Sequence, residues 1–350
     1  MAKYHMTAKE LILTAGSSRG SQIKFFKDDY WYKLDETGPE GRAEELATKI
    51  LECSDLKKDE YIHYEACKIE YEGKEYNGCR SKNVLGSGEL LYSYEKIYEL
   101  STGRRLSEDI QILNTPKDKI EFVAKAISDF CGLDVREHIA KNLTVGMVLL
   151  NTDLHLNNIA VIANKDLSDF RNAPIFDNGA SFLSNHAVYP PSISIADIEK
   201  GNVQITGKPF SANLEYQAVE AGLSVRFDFE KIKSILNEQV QNREIEIAKY
   251  LANKYEKVPS LNYIQNEKEN LAIREMESVW QTYFDKPKNE RNGIEWQGQT
   301  YRPVEFDDLY MACCRRENVT PSKTIENHFY KCIDGLDYTP KYYRDEKEKE

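Results

Sequence analysis

At 350 residues, 41% of them hydrophobic and 30% charged, the chain is long enough for two domains or one two-lobed unit, and its balance excludes both a small stapled scaffold and a mainly disordered protein. Forty-seven Lys and Arg against 58 Asp and Glu leave a net charge of −11, which argues against a surface that binds nucleic acid all over, so no direct nucleic-acid partner is expected. Seven scattered cysteines predict a reducing compartment, and no apolar run approaches the roughly 18 residues of a membrane span, so the expected setting is cytoplasmic, or that of a delivered soluble effector, with no membrane partner.

In chain order, Leu11–Thr14 is β-prone and runs into the small-residue segment Ala15–Ser21. Residues 22–26 and 30–34 follow around a Lys27-Asp28-Asp29 turn, so three antiparallel strands are predicted in succession. Gly38-Pro39-Glu40-Gly41 breaks the pattern, and residues 43–51 then place Leu46, Ala47, Ile50 and Leu51 on one helical face. A second strand pair, 61–71 and 75–80, is joined by Glu72-Gly73-Lys74. From about Ser93 the period becomes helical, with Ile120, Val123, Ala124, Ile127, Phe130 and Cys131 on one helix, and Ile139, Leu143, Met147 and Leu150 on the next. A loop at 151–158, a strand at 159–162, a polar hairpin at 163–172 and a strand-like 173–177 interrupt the helices. Helix returns over 216–256, with Ile232, Ile235, Leu236 and Val240 on one face, and over 267–284; Lys286–Arg302 reads as a polar connector. The expected organisation is therefore 1–90 as a small β-rich lobe, 91–284 as a mainly helical lobe, and 285–350 as an extension without an assigned role.

The chemistry concentrates in Asn151-Thr152-Asp153-Leu154-His155-Leu156-Asn157-Asn158. Six hydrogen-bonding side chains crowd a loop between apolar segments, where catalytic groups tend to sit. Asp153 followed five residues later by Asn158 is the spacing with which kinases orient an attacking hydroxyl and hold magnesium. His155 is either a further catalytic group or a clasp on the loop. Asp177-Asn178-Gly179 follows the apolar Ile175-Phe176 and supplies a second carboxylate, as a magnesium ion shared with nucleotide phosphates requires. Taken alone, Asp-Asn-Gly would be a turn. In the N-terminal sheet, Gly16, Ser17, Ser18, Gly20 and Ser21 can lay backbone N–H groups against phosphates, and Lys33 on a following strand can reach them. Lys33 could equally be a solvated strand lysine. Glu44 or Glu45, early in the next helix, could pair with it, and the sequence does not choose between them.

These residues carry a resemblance. The motifs at 151–158 and 173–181, in the order small-residue loop, strand Lys, helix Glu, catalytic loop, metal Asp, resemble those of HipA-like protein kinases, including the shorter CtkA-like branch, over roughly residues 11–260. The resemblance implies an α+β, two-lobed protein-kinase-like fold using ATP and Mg2+. Within it Asp153 is the catalytic base, Asn158 and Asp177 are metal ligands, and Lys33 lies on the α/β-phosphates. It also implies serine/threonine protein kinase activity, autophosphorylation at Ser17, Ser18 or Ser21, and a toxin-like setting with a translation component as protein substrate and an antitoxin as regulatory partner. Asn157 stands where such kinases commonly carry Lys. A small-molecule or lipid kinase, or a non-catalytic nucleotide-binding module, are the alternatives. Cys313-Cys314 with His328 and Cys332 is a weak zinc pattern, because adjacent cysteines lack the usual C-x₂₋₄-C bite.

Overall fold

Two tight turns set the register of the first sheet. Asp28 and Asp29, at φ 51° and 64°, close the hairpin of β2 (Lys24–Lys27) and β3 (Tyr30–Leu34), while Glu72 and Gly73, at φ 51° and 72°, close that of β4 (Tyr64–Tyr71) and β5 (Lys74–Lys82). Left-handed conformation at both central residues is what a two-residue hairpin turn needs to match the strand twist. In this computed structural model residues 1–12, 22–199 and 209–262 are described without interruption, and between 268 and 316 shorter pieces are, chiefly 293–301 and 312–316.

The resulting sheet has five strands in the order β1-β4-β5-β3-β2. The added strand, β1 (Lys3–Met6), pairs parallel with β4; at four residues, only one of them buried, it leaves little alternation to read. Of the first expected strand, Leu11 forms a single antiparallel bridge with Phe25, and residues 13–21 lie outside the described residues. One sheet face buries Met6, Phe25, Tyr32, Leu34, Cys67 and Ile69. The other receives helix α1 (Glu40–Leu51). A second, three-stranded sheet orders β6 (Glu89–Ser93), β7 (Ala160–Asn164) and β8 (Phe170–Asn172).

Helices α2 (Tyr94–Thr102) and α3 (Leu106–Asp109) lead to α4 (Pro116–Cys131), which has full end chemistry: the Thr115 side chain accepts from the Asp118 N–H, proline opens the first turn, and Gly132 at φ 68° closes the last. Helix α5 (Arg136–Val148) is buried on nearly every side, as a central helix must be. After α6 (Ile195–Glu199), the expected helix over 216–256 is three: α7 (Leu214–Ala221), α8 (Phe229–Glu238) and α9 (Arg243–Tyr255). Capping residues Asp228 and Asn242 restart the helix each time. Ile232 and Leu236 are buried as expected, but Val240 falls beyond α8 and is 87% exposed.

The strand expected at 173–177 is also corrected. Pro174 has no N–H for a ladder, so the β7 hairpin ends at Asn172, and Ile175 instead bridges Tyr61 in parallel. Contacts group the chain into two compact units, Met1–Leu261 and Asn262–Glu350. The change from strands to helices near residue 90 lies within the first unit. In the second, the expected polar connector contains a hairpin of β9 (Ile294–Trp296) and β10 (Gln299–Tyr301) around Gln297-Gly298. Among the described residues no helix is long and apolar enough to cross a membrane.

Candidate active site

Lys33 owes its position to strand alternation. Tyr32 and Leu34 face the small sheet core, so Lys33 faces α1, and its side chain is only 13% exposed. A solvated strand lysine is thereby excluded. Two glycines bring the helix close enough to meet it: a Cβ on Gly41 would lie 2.4 Å from the Gly78 carbonyl oxygen, and one on Gly78 would lie 2.1 Å from that of Lys33. With backbone on backbone, the Lys33 Nζ donates to Glu44 Oε1 at 3.1 Å and to Asp177 Oδ1 at 2.8 Å. The ring of Tyr64 lies 5.0 Å from the same ammonium. Glu44 is 1% exposed, and its other oxygen accepts the Asn178 N–H at 2.9 Å.

The segments around 151–158 and 177–179 meet below this wall as two irregular loops. Asn158 Nδ2 donates to Asp177 Oδ2 at 2.8 Å. That leaves Asn158 Oδ1 buried with no hydrogen-bond partner, and a buried oxygen in that state calls for a donor or a cation. Beside the Asp177 carboxylate it is one of two oxygen donors, the chemistry that Mg2+ prefers. The residues present therefore fit a magnesium ion. Asp153 lies further out, with His155 Nε2 at 3.9 Å from Oδ2. His155 Nδ1 accepts the Asn157 N–H at 3.2 Å, so the ring proton sits on Nε2, toward Asp153. His155 thus lines the cleft and also clasps its own loop.

Lys33, Glu44, Asp153, Asn158 and Asp177 line one cleft of about 220 Å³. Burial works against the Lys33 ammonium, but Asp177 and Glu44 outweigh it and hold its pKa well above the ordinary lysine value. Burial likewise opposes the Asp177 charge, and Lys33 reverses this, holding the carboxyl at about 2. Glu44 is raised by burial, opposed only in part by Lys33. The Asp177 carboxylate is thus ionised throughout the physiological range.

The reading of the sequence missed two residues here. Lys24, paired with Lys33 across the β2–β3 register, lines the same cleft; burial and the like charge of Lys33 lower its pKa. The two-residue turn at 28–29 would have revealed that pairing. His138 on α5 is held by the Tyr94 hydroxyl at Nδ1, 2.8 Å away, and by the Ala173 carbonyl at Nε2, 2.9 Å away. It thus anchors the segment that leads to Asp177, and burial pushes its pKa down to about 4.

Of the expected site residues, Lys33, Glu44, Asp153, His155, Asn158 and Asp177 are brought together. Glu45 is not: one position further round α1 it points away from Lys33 and pairs with Lys49 at 3.4 Å, because neighbouring helix positions lie about 100° apart. Gly16, Ser17, Ser18, Gly20 and Ser21 lie outside the described residues. So do His328 and Cys332 of the zinc pattern, whose Cys313 and Cys314 are buried. Among the described residues no group of three or more His, Cys, Asp or Glu gathers as if to hold a metal.

No protein-family model matches the chain, and no curated protein matches it. A crystal structure of a Helicobacter pylori proinflammatory kinase, CtkA, is similar at 15% identity with a TM-score of 0.48, covering 67% of this chain and 90% of that one.

Proposed function

We propose that the protein is an ATP- and magnesium-dependent phosphotransferase with a two-lobed, HipA-like kinase architecture, moving the γ-phosphoryl group to a serine or threonine hydroxyl of a protein. One observation carries the reading: Lys33 is clasped by both Glu44 and Asp177 while Asn158 binds the second oxygen of Asp177, all in the cleft that Asp153 lines. A purely structural ion pair has no need of the partnerless buried oxygen of Asn158 or of an aspartate held outward nearby.

Asn158 and Asp177 would hold a magnesium ion, which when bound would supply positive charge against the phosphates. Lys33 presents a fixed ammonium to the phosphates, kept charged by its two carboxylates. Glu44 keeps the lysine in place when phosphates compete for it. Asp153 orients the acceptor hydroxyl and takes its proton, with His155 Nε2–H beside its carboxylate. Catalysis then rests on positioning and charge, with no covalent enzyme intermediate. Autophosphorylation of Ser17, Ser18 or Ser21, a translation component as substrate and control by an antitoxin belong to the same proposal and rest on the motif resemblance.

Asp153→Ala and Asp177→Ala, purified in folded form, are each expected to lose transfer from labelled ATP by at least about 10²-fold. Undiminished transfer by either variant overturns the reading. Magnesium-dependent ATP binding by the wild type without turnover would point instead to a nucleotide-binding module. Phosphoproteomes of cells expressing wild type and Asp153→Ala would identify the acceptor.

A further inference from the structure

Asn151 stands at the crossing of the two loops and touches neither the cleft nor, with its side chain, either reactive carboxylate. It is 1% exposed. Its Oδ1 accepts the Asp153 N–H at 3.2 Å, and its Nδ2 donates to the Asp177 carbonyl at 3.1 Å and to Asn178 Oδ1 at 3.4 Å. One amide thus holds the backbones of both aspartates, 24 positions apart in the chain.

The backbone around it is strained. Leu150, Asp177, Phe182 and Leu183 have φ values of 52°, 65°, 56° and 58°, a conformation that costs an L-residue roughly 1 kcal/mol or more and is rarer still for bulky side chains. Leu150 adjoins Asn151, Asp177 is its hydrogen-bond partner, and the Phe182 N–H donates to Leu149 O at 3.1 Å. Two left-handed residues thus touch or adjoin one buried amide, a third bonds the chain two residues before it, and Leu150, Phe182 and Leu183 are themselves buried. Strain gathered and overdetermined in this way marks a place where geometry is held for a purpose. Thr152 ties the same loop to Ala180 and Asn158 ties it to the Asp177 carboxylate, while Asn151 bonds the main chains of both aspartates.

We propose that Asn151 is the positioning residue that fixes the separation of Asp153 from Asp177, and so couples the acceptor side of the cleft to the metal side. This rests on the phosphotransfer reading above. Its signature is a loss in kcat together with weaker use of the metal, at little cost to nucleotide binding, since the side chain lines no part of the cleft.

The test compares full-length wild type, Asn151→Ala, Asn151→Ser and a reference variant, Ile127→Ala, whose side chain is buried in α4 far from both loops in the chain. ATP turnover is measured across a magnesium titration, and melting temperature beside it. Asn151→Ala is expected to lower kcat and raise the half-saturating magnesium concentration by about 10- to 100-fold, the usual scale for an outer partner of a metal ligand, with the KM for ATP changed less than about threefold. Asn151→Ser, with a shorter polar group, is expected to fall between Asn151→Ala and wild type. Ile127→Ala is expected to melt lower while keeping kcat and magnesium dependence within about twofold of wild type.

Asn151→Ala within about twofold of wild type in both quantities would overturn the proposal. So would equal losses in Ile127→Ala, or failure of both Asn151 variants to fold, since either makes the role merely structural. If wild type turns over no ATP, the phosphotransfer reading fails by itself. The positioning role is then decided by the spin-resonance signal of Mn2+ bound with ATP, which is expected to differ between wild type and Asn151→Ala and overturns the role if it does not.

Discussion

The two walls of the cleft are built by opposite means. Around Lys33 the backbone is regular: β3 and β5 pair residue for residue, α1 rests on them through Gly41 and Gly78, and the functional side chains point where alternation and helical pitch direct them. Around Asp153 and Asp177 the backbone is irregular, left-handed at several non-glycine residues, and joined by side-chain amides and carbonyls. In the first wall position follows from periodicity. In the second it follows from individual hydrogen bonds, so single substitutions there should act on chemistry before they act on the fold.

The largest expected effect lies in the regular wall. Lys33→Ala leaves Glu44 buried without its cation, which should cost about 3–5 kcal/mol in denaturant unfolding; Lys33→Met with Glu44→Gln should recover most of that. Equal losses in the single and double variants would show that the pair is not what holds α1 to the sheet.

The irregular wall has a pH signature in His138. Its folded pKa of about 4 lies below the unfolded value of about 6.5, so on acidification the unfolded chain takes up a proton that the folded one refuses. Stability from this group is complete above pH 6.5 and is lost as pH falls toward 4, by about 3 kcal/mol in all. His138→Gln should flatten that part of the pH–stability curve, and an unchanged slope would remove His138 from the account.

Gly41→Ala should cost about 1–3 kcal/mol by overpacking, because its methyl meets the Gly78 backbone and not a movable side chain. Melting temperature and ATP turnover should fall together in it, in contrast to the separate losses expected of Asn151 variants. The smallest effect serves as reference: Thr115→Ala removes the α4 cap and should cost about 1 kcal/mol with turnover unchanged.

Legibility in the sequence followed the same division. The hairpins, α1, α4 and the burial of Ile127 and Leu143 could be read because they repeat with a fixed period. Lys33 could be placed on its strand, but the choice between Glu44 and Glu45 needed the rotation of α1, which the close approach of Gly41 to Gly78 sets. The motifs at 151–158 and 177–179 were conspicuous by composition, whereas the role of Asn151 was invisible, since its partners come from a second loop whose path no periodicity encodes. Pro174 was in plain view, yet the strand was expected to run through it to Asp177. The missing N–H redirects Ile175 to Tyr61, and that diversion carries the chain toward the cleft.

The bond from the Asn178 N–H to Glu44 Oε2 has a practical consequence. That amide is protected by a side chain on α1 and not by a backbone ladder, so it exchanges with solvent deuterium only when α1 draws away from the second loop or that loop itself opens. Its exchange rate, set against that of amides within α1, would therefore report how often the cleft falls apart while the helix stays intact. The molecule carries its own gauge of assembly, readable without nucleotide, metal or acceptor.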